Sequence, residues 1–79
     1  MKVLLVEDDV AIAESVTTSL SNAGMNVHHS STGADAMVAV KEFAPDVILM
    51  DLGLPDMDGL DVSKSIREFS SVPIIIVSA

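Results

Sequence analysis

The sequence predicts an α/β fold built on a parallel sheet, and three observations carry that expectation. Short apolar runs alternate three times with segments whose apolar residues recur every three or four positions, and a fourth run follows, the pattern of βαβ units joined by right-handed crossovers. The run Lys2–Val6 lacks polar alternation, as a strand covered on both faces does. The run Val47–Met50 stops abruptly at Asp51, and the next eight residues hold two glycines, a proline and two more aspartates, so the chain leaves a buried strand for a loop at that carboxylate. Asp51 is thereby placed at the carboxyl end of a central strand, where open α/β sheets bind their ligands.

Taken in order, the first strand, Lys2–Val6, ends at Glu7-Asp8-Asp9. Ile12, Val16, Leu20 and Ala23 then form the stripe of an amphipathic helix, with Asp9 as its cap and Gly24 as its terminator. Met25–His29 is a second strand, and the alternation of Met25 and Val27 with polar neighbours suits a sheet edge. Thr32-Gly-Ala-Asp35 approximates a capping box, with Asp where Glu or Gln is usual. It opens a helix striped by Ala36, Met37, Val40 and Phe43 and ended by Pro45. After the third strand and its acidic loop, Leu60, Val62, Ile66 and Phe69 mark a third helix capped by Asp58. Val72–Val77 is the fourth strand, and Pro73 suits its start.

With 79 residues the chain makes one domain, and at this size only about 60–65% of the unfolded surface is buried on folding. No apolar run approaches the roughly 20 residues that span a bilayer, and no charged leader with a cleavage site opens the chain, so a soluble, unexported, cytoplasmic protein is expected. The absence of cysteine excludes disulfides and thiolate metal sites and fits a reducing compartment. Twelve acids against four bases give a net charge of −8, which argues against direct binding of a phosphate backbone. With Phe43 and Phe69 as the only aromatics, stacking platforms for single strands are missing as well.

If the first and third strands are neighbours, Glu7, Asp8 and Asp51 meet at one sheet edge. Three carboxylates that close raise one another's pKa unless a cation holds them together. Magnesium suits the set better than calcium, since it takes one or two carboxylates with waters and substrate phosphate oxygens. A carboxylate beside magnesium can act as a nucleophile toward phosphorus, and Asp51 is the candidate. Asp9, Asp56, Asp58 and Asp61 are read as caps or solvated acids. In particular Asp56, on the loop, is expected to be dispensable for magnesium. A calcium loop of the EF-hand kind is disfavoured, because Leu54 and Ser65 stand where its first and last ligands belong. A haloacid-dehalogenase phosphatase is a poor match, since Gly53 replaces its second aspartate, and no dinucleotide or Walker loop occurs. His28 and His29, adjacent on a strand, point to opposite faces and cannot jointly grip one ion. Met37, Met50 and Met57 read as core filler.

Three segments, VLLVEDD at 3–9, DVILMDLGLPDMDG at 46–59 and PIIIVSA at 73–79, together resemble the receiver domain of bacterial two-component response regulators. The resemblance implies a flavodoxin-like sheet of order 2-1-3-4 and a signalling module fed by a sensor histidine kinase, a phosphoacceptor that assists its own phosphoryl transfer. By matching motif, Asp51 corresponds to the phosphorylated aspartate. Glu7 and Asp8, with Asp51 and the backbone carbonyl of Gly53, correspond to the Mg2+ ligands, and Ser78 to the switch hydroxyl. The EDD cluster and LPDMDG loop look most like regulators whose receiver precedes a winged-helix DNA-binding domain, so any transcriptional output would belong to an effector outside these residues. A receiver has about five strands and five helices, and residues 1–79 match roughly its first two-thirds. The family's fourth helix, fifth strand with its lysine and aromatic switch partner, and fifth helix have no counterpart here. Two functions follow as expectations: a phosphoacceptor, or a truncated receiver that cannot be phosphorylated and serves as an interaction module. In either case the uncovered fourth strand is expected to support homo-oligomers.

Overall fold

Seven elements form in the expected alternation: β1 (Lys2–Val6), α1 (Val10–Asn22), β2 (Asn26–Ser30), α2 (Gly33–Phe43), β3 (Val47–Asp51), α3 (Gly59–Arg67) and β4 (Ile74–Val77). The structure is a computed structural model and describes residues 1–77. All strand pairs are parallel and the order is β2-β1-β3-β4, so β2 is an edge and β1 and β3 are central.

Register divides the strands between two faces. Leu4 pairs with Ile48 and Val6 with Met50, and this face packs on Ala36, Ala39 and Val40 of α2 and on Val62 and Ile66 of α3. Every one of these side chains is buried, and they form the principal core. On the opposite face Leu5 and Leu49, also in register, face Ile12 and Val16 of α1 across a cavity of about 80 Å³ that Glu7, Asp51 and Val77 also line.

The expected caps are present. Asp9 accepts from the Ile12 N–H at 3.0 Å, Thr32 Oγ1 from the Asp35 N–H at 3.1 Å and Asp58 from the Leu60 N–H at 2.9 Å, each satisfying a donor that the first turn leaves free. Gly24, at φ +89°, takes the left-handed position that releases the chain from α1.

Some boundaries and stripes shift. β2 begins and ends one residue later than the alternation of Met25 and Val27 suggests. Val72 and Pro73 precede β4 rather than opening it, because proline has no N–H for the ladder; its carbonyl still accepts from Ile48 N–H at 2.9 Å. In α1 the deeply buried residue is Ala13, whereas Ile12 is 46% exposed. In the third helical segment Val62 and Ile66 are fully buried, but Leu60 is exposed and Phe69 lies past the end of α3, its ring beneath the Lys41 ammonium at 4.7 Å. In β4, Ile74 packs against the core, while Ile75 and Val77 are 54% and 50% exposed on the α1 side.

Candidate functional site

Two neighbouring strands end together, and that is what assembles the site. β1 and β3 are in register through Val6 and Met50, so Glu7, just past β1, and Asp51, the last residue of β3, stand side by side at the carboxyl edge of the sheet. Oxygen atoms of Glu7, Asp8 and Asp51 lie within 4.8 Å of one another, and among the described residues these are the acids and histidines grouped closely enough to hold a metal ion. Glu7 and Asp51 are half-buried and Asp8 is exposed, so the cluster opens to solvent.

Backbone contacts steady it. Glu7 donates its N–H to Ser30 C=O at 3.0 Å, and its own carbonyl lies 2.6 Å from His29 Nε2, which binds the end of β1 to β2. The Gly53 N–H donates to Asp51 Oδ1 at 3.3 Å, which sets the backbone of Gly53 beside that carboxylate. His28 turns the other way and packs on the Phe43 ring, so the two histidines face apart as strand geometry requires.

Burial pushes the Glu7 carboxyl above its ordinary value, and the Asp51 and Asp8 carboxylates add to the effect, while a hydrogen bond from the Asp9 N–H opposes it. A group whose folded pKa is raised disfavours the fold when it is ionised. Stability should therefore increase as pH falls through that raised value toward the ordinary one, and no further below it. In metal-free buffer at pH 7, Glu7→Gln should raise the melting temperature by about 2–4 °C, roughly 0.5 kcal/mol once solvent screening is allowed for. The difference from the native protein should vanish under acid conditions; equal melting at pH 7 would rule out the repulsion. The donor set, all hard oxygens crowded into mutual repulsion, fits magnesium.

Of the remaining acids, Asp9 and Asp58 cap their helices as expected. Asp56 does something that the sequence does not signal: its carboxylate accepts the N–H groups of Gly33 and Ala34 at the start of α2, at 2.8 and 3.0 Å. The contact joins residues 22 and 23 positions apart, and no local spacing encodes it. The hydrogen bond of His29 to Glu7 is of the same kind, across 22 positions. Ser78 lies outside the described residues.

Comparison with known proteins agrees with the fold. Residues 3–79 match the response regulator receiver domain family. The chain is 40% identical over 78 residues to the DNA-binding response regulator MtrA of Mycolicibacterium paratuberculosis, covering 99% of this chain and 35% of that protein. It is 42% identical over 77 residues to the transcriptional regulatory protein KdpE of Mycobacterium tuberculosis, covering 98% and 34%. The chain thus spans about a third of the length of these curated relatives. Among solved structures, the BeF3-activated N-terminal receiver domain of Klebsiella pneumoniae RstA superposes with a TM-score of 0.95 at 27% identity, over 99% of this chain and 67% of that one. A CheY-like receiver domain from Methylobacillus flagellatus gives 0.91 at 31%, over 99% and 69%.

Proposed function

Because the chain belongs to the response regulator receiver domain family, we propose that it is the phosphoacceptor of a two-component system, with Asp51 taking a phosphoryl group from a sensor histidine kinase. The observation that carries this reading is the convergence of Glu7, Asp8 and Asp51 within 4.8 Å at the carboxyl edge of adjacent central strands. Glu7, Asp8, Asp51 and the Gly53 carbonyl would hold magnesium, which when bound offsets charge on the phosphoryl oxygens.

In the transfer, an Asp51 carboxylate oxygen attacks phosphorus in line. The new P–O bond forms as the P–N bond to the phosphohistidine breaks, and the imidazole nitrogen leaves with the electron pair and is protonated. The Gly53 N–H, on Asp51 Oδ1, helps hold the carboxylate in place. Ser78, outside the described residues, is assigned the role of switch hydroxyl by its place in the PIIIVSA motif alone. The output is control of transcription in the cytoplasm, exerted through a winged-helix effector outside residues 1–79, since a segment of net charge −8 does not grip DNA itself. MtrA and KdpE, named as DNA-binding and transcriptional regulators, support that output.

Incubation with acetyl phosphate and magnesium should label the native protein with a hydroxylamine-sensitive phosphoryl group, and Asp51→Asn should abolish the label, since an amide is not a nucleophile of this kind. Undiminished labelling of the variant would refute the assignment.

A second reading is favoured by β4. Its Ile75 and Val77 are 54% and 50% exposed, and no further strand pairs with β4 among the described residues, which leaves a surface to which another strand can add. On this reading the chain is an interaction module that pairs with a second copy through β4. Sedimentation should then show a dimer at micromolar concentration that Ile75→Lys converts to monomer, whereas a cooperatively melting native monomer would dismiss it.

A further inference from the structure

The loop from Leu52 to Asp58 brings Gly53 to the acidic cluster, and it is fastened at two places. At one end Gly53 bridges to Asp58, the Gly59 N–H donates to Leu52 C=O at 3.1 Å, and the Gly53 N–H reaches Asp51 Oδ1. At the other, Asp56 reaches away from the cluster to α2. Its two oxygens take the Gly33 and Ala34 N–H groups, two donors that the first turn of a helix cannot satisfy internally. Those bonds hold the Asp56 carboxyl below its ordinary value, so at neutral pH it is fully ionised opposite the amide end of the helix. Met57 adds a packing contact at the same point, close enough that a Cβ on Gly33 would stand 3.0 Å from its Sδ.

We propose that Asp56 is a positioning residue for the cation site: by tying the loop to the start of α2 it fixes where Gly53 presents its backbone beside Asp51. The inference rests on the magnesium reading above and departs from the expectation that a loop acid is dispensable. A loop freed from α2 must be ordered each time the cation binds, and that ordering weakens binding. By linkage, a cation that favours the ordered loop must strengthen the tie to α2 by the same factor.

Titration calorimetry with MgCl2 on the native chain, Asp56→Ala, Asp56→Asn and Glu7→Gln tests this, together with amide exchange at Gly33 and Ala34 with and without MgCl2. Asp56→Ala should weaken magnesium binding about ten-fold, as loss of an outer partner of a metal ligand does, and Asp56→Asn, whose amide oxygen still accepts, should recover part of it. MgCl2 should slow exchange at Gly33 and Ala34 in the native chain. If Asp56→Ala melts earlier but binds magnesium like the native chain well below its melting range, Asp56 is a structural cap only and the proposal is overturned. If that variant does not fold, the native chain decides: exchange at Gly33 and Ala34 unaltered by magnesium overturns it equally. Loss of binding in Glu7→Gln with none in Asp56→Ala removes this inference alone, whereas a native chain that binds no magnesium removes the metal reading and this inference together.

Discussion

Gly59→Ala should lower the melting temperature by more than about 10 °C, the equivalent of roughly 3 kcal/mol at the upper end of what overpacking costs. A Cβ at Gly59 would press into the Asp51 carbonyl oxygen and stand 2.9 Å from Leu52 Cα. Both obstacles are backbone, and they belong to the strand end that carries the candidate acceptor. Relief must therefore come by moving Asp51 itself or the start of α3, and the phosphoryl acceptance proposed for Asp51 should fall with stability. The other glycines of the region are graded controls. A Cβ at Gly33 would meet Val62 Cγ2 at 2.8 Å and Met57, which are side chains and can partly give way, so Gly33→Ala should cost less. At Gly53 nothing lies within 4 Å, and Gly53→Ala should melt nearly as the native protein does. Thermal denaturation of the three variants checks the order, and a Gly59→Ala protein as stable as Gly53→Ala would contradict the packing at Asp51.

Ile48→Ala should cost about 2–5 kcal/mol, since it deletes a large buried side chain from a site with little room to collapse. Ile48 is fully buried as the second residue of β3, between Leu4 of β1 and Ile74 of β4, and it belongs to the cluster that α2 and α3 cover. Against the 5–15 kcal/mol typical of a whole domain, such a loss leaves little margin. Urea unfolding should show a lower midpoint with an unchanged slope, and a shift under about 0.5 kcal/mol, the range of ordinary surface substitutions, would mean that β3 is not central to the core.

What the sequence disclosed follows from what is local in it. The alternation of strand and helix, the caps at Asp9, Thr32 and Asp58 and the break at Asp51 are written within a few residues of each other, and each is found in place. The meeting of Glu7, Asp8 and Asp51 is long-range, yet it follows once β1 and β3 are taken as parallel neighbours, because parallel strands bring their carboxyl ends to one edge. The errors arose where periodicity underdetermines packing. Apolar spacing put Ile12 in the buried stripe of α1, but the helix turns small Ala13 to the sheet and leaves Ile12 at the rim of the cavity. Leu60 and Phe69 satisfy the spacing of α3 and still face outward. The tie of Asp56 to α2 and of His29 to Glu7 depends on how loops fold back after the sheet is built, for which periodicity carries no signal.

The strand order also bears on how the chain folds as it is made. β1 leaves the ribosome before the strands it pairs with, yet it sits inside the sheet, with β2 on one side and β3 on the other. The unit β1-α1-β2 can close once Ser30 has emerged, whereas the second edge of β1 stays open until residues 47–51 arrive. Through that interval Val3–Val6 presents unsatisfied backbone groups to whatever other chain is near. A pause in synthesis between residues 30 and 47 would prolong the exposure, so that interval is one in which the nascent fold is vulnerable to aggregation.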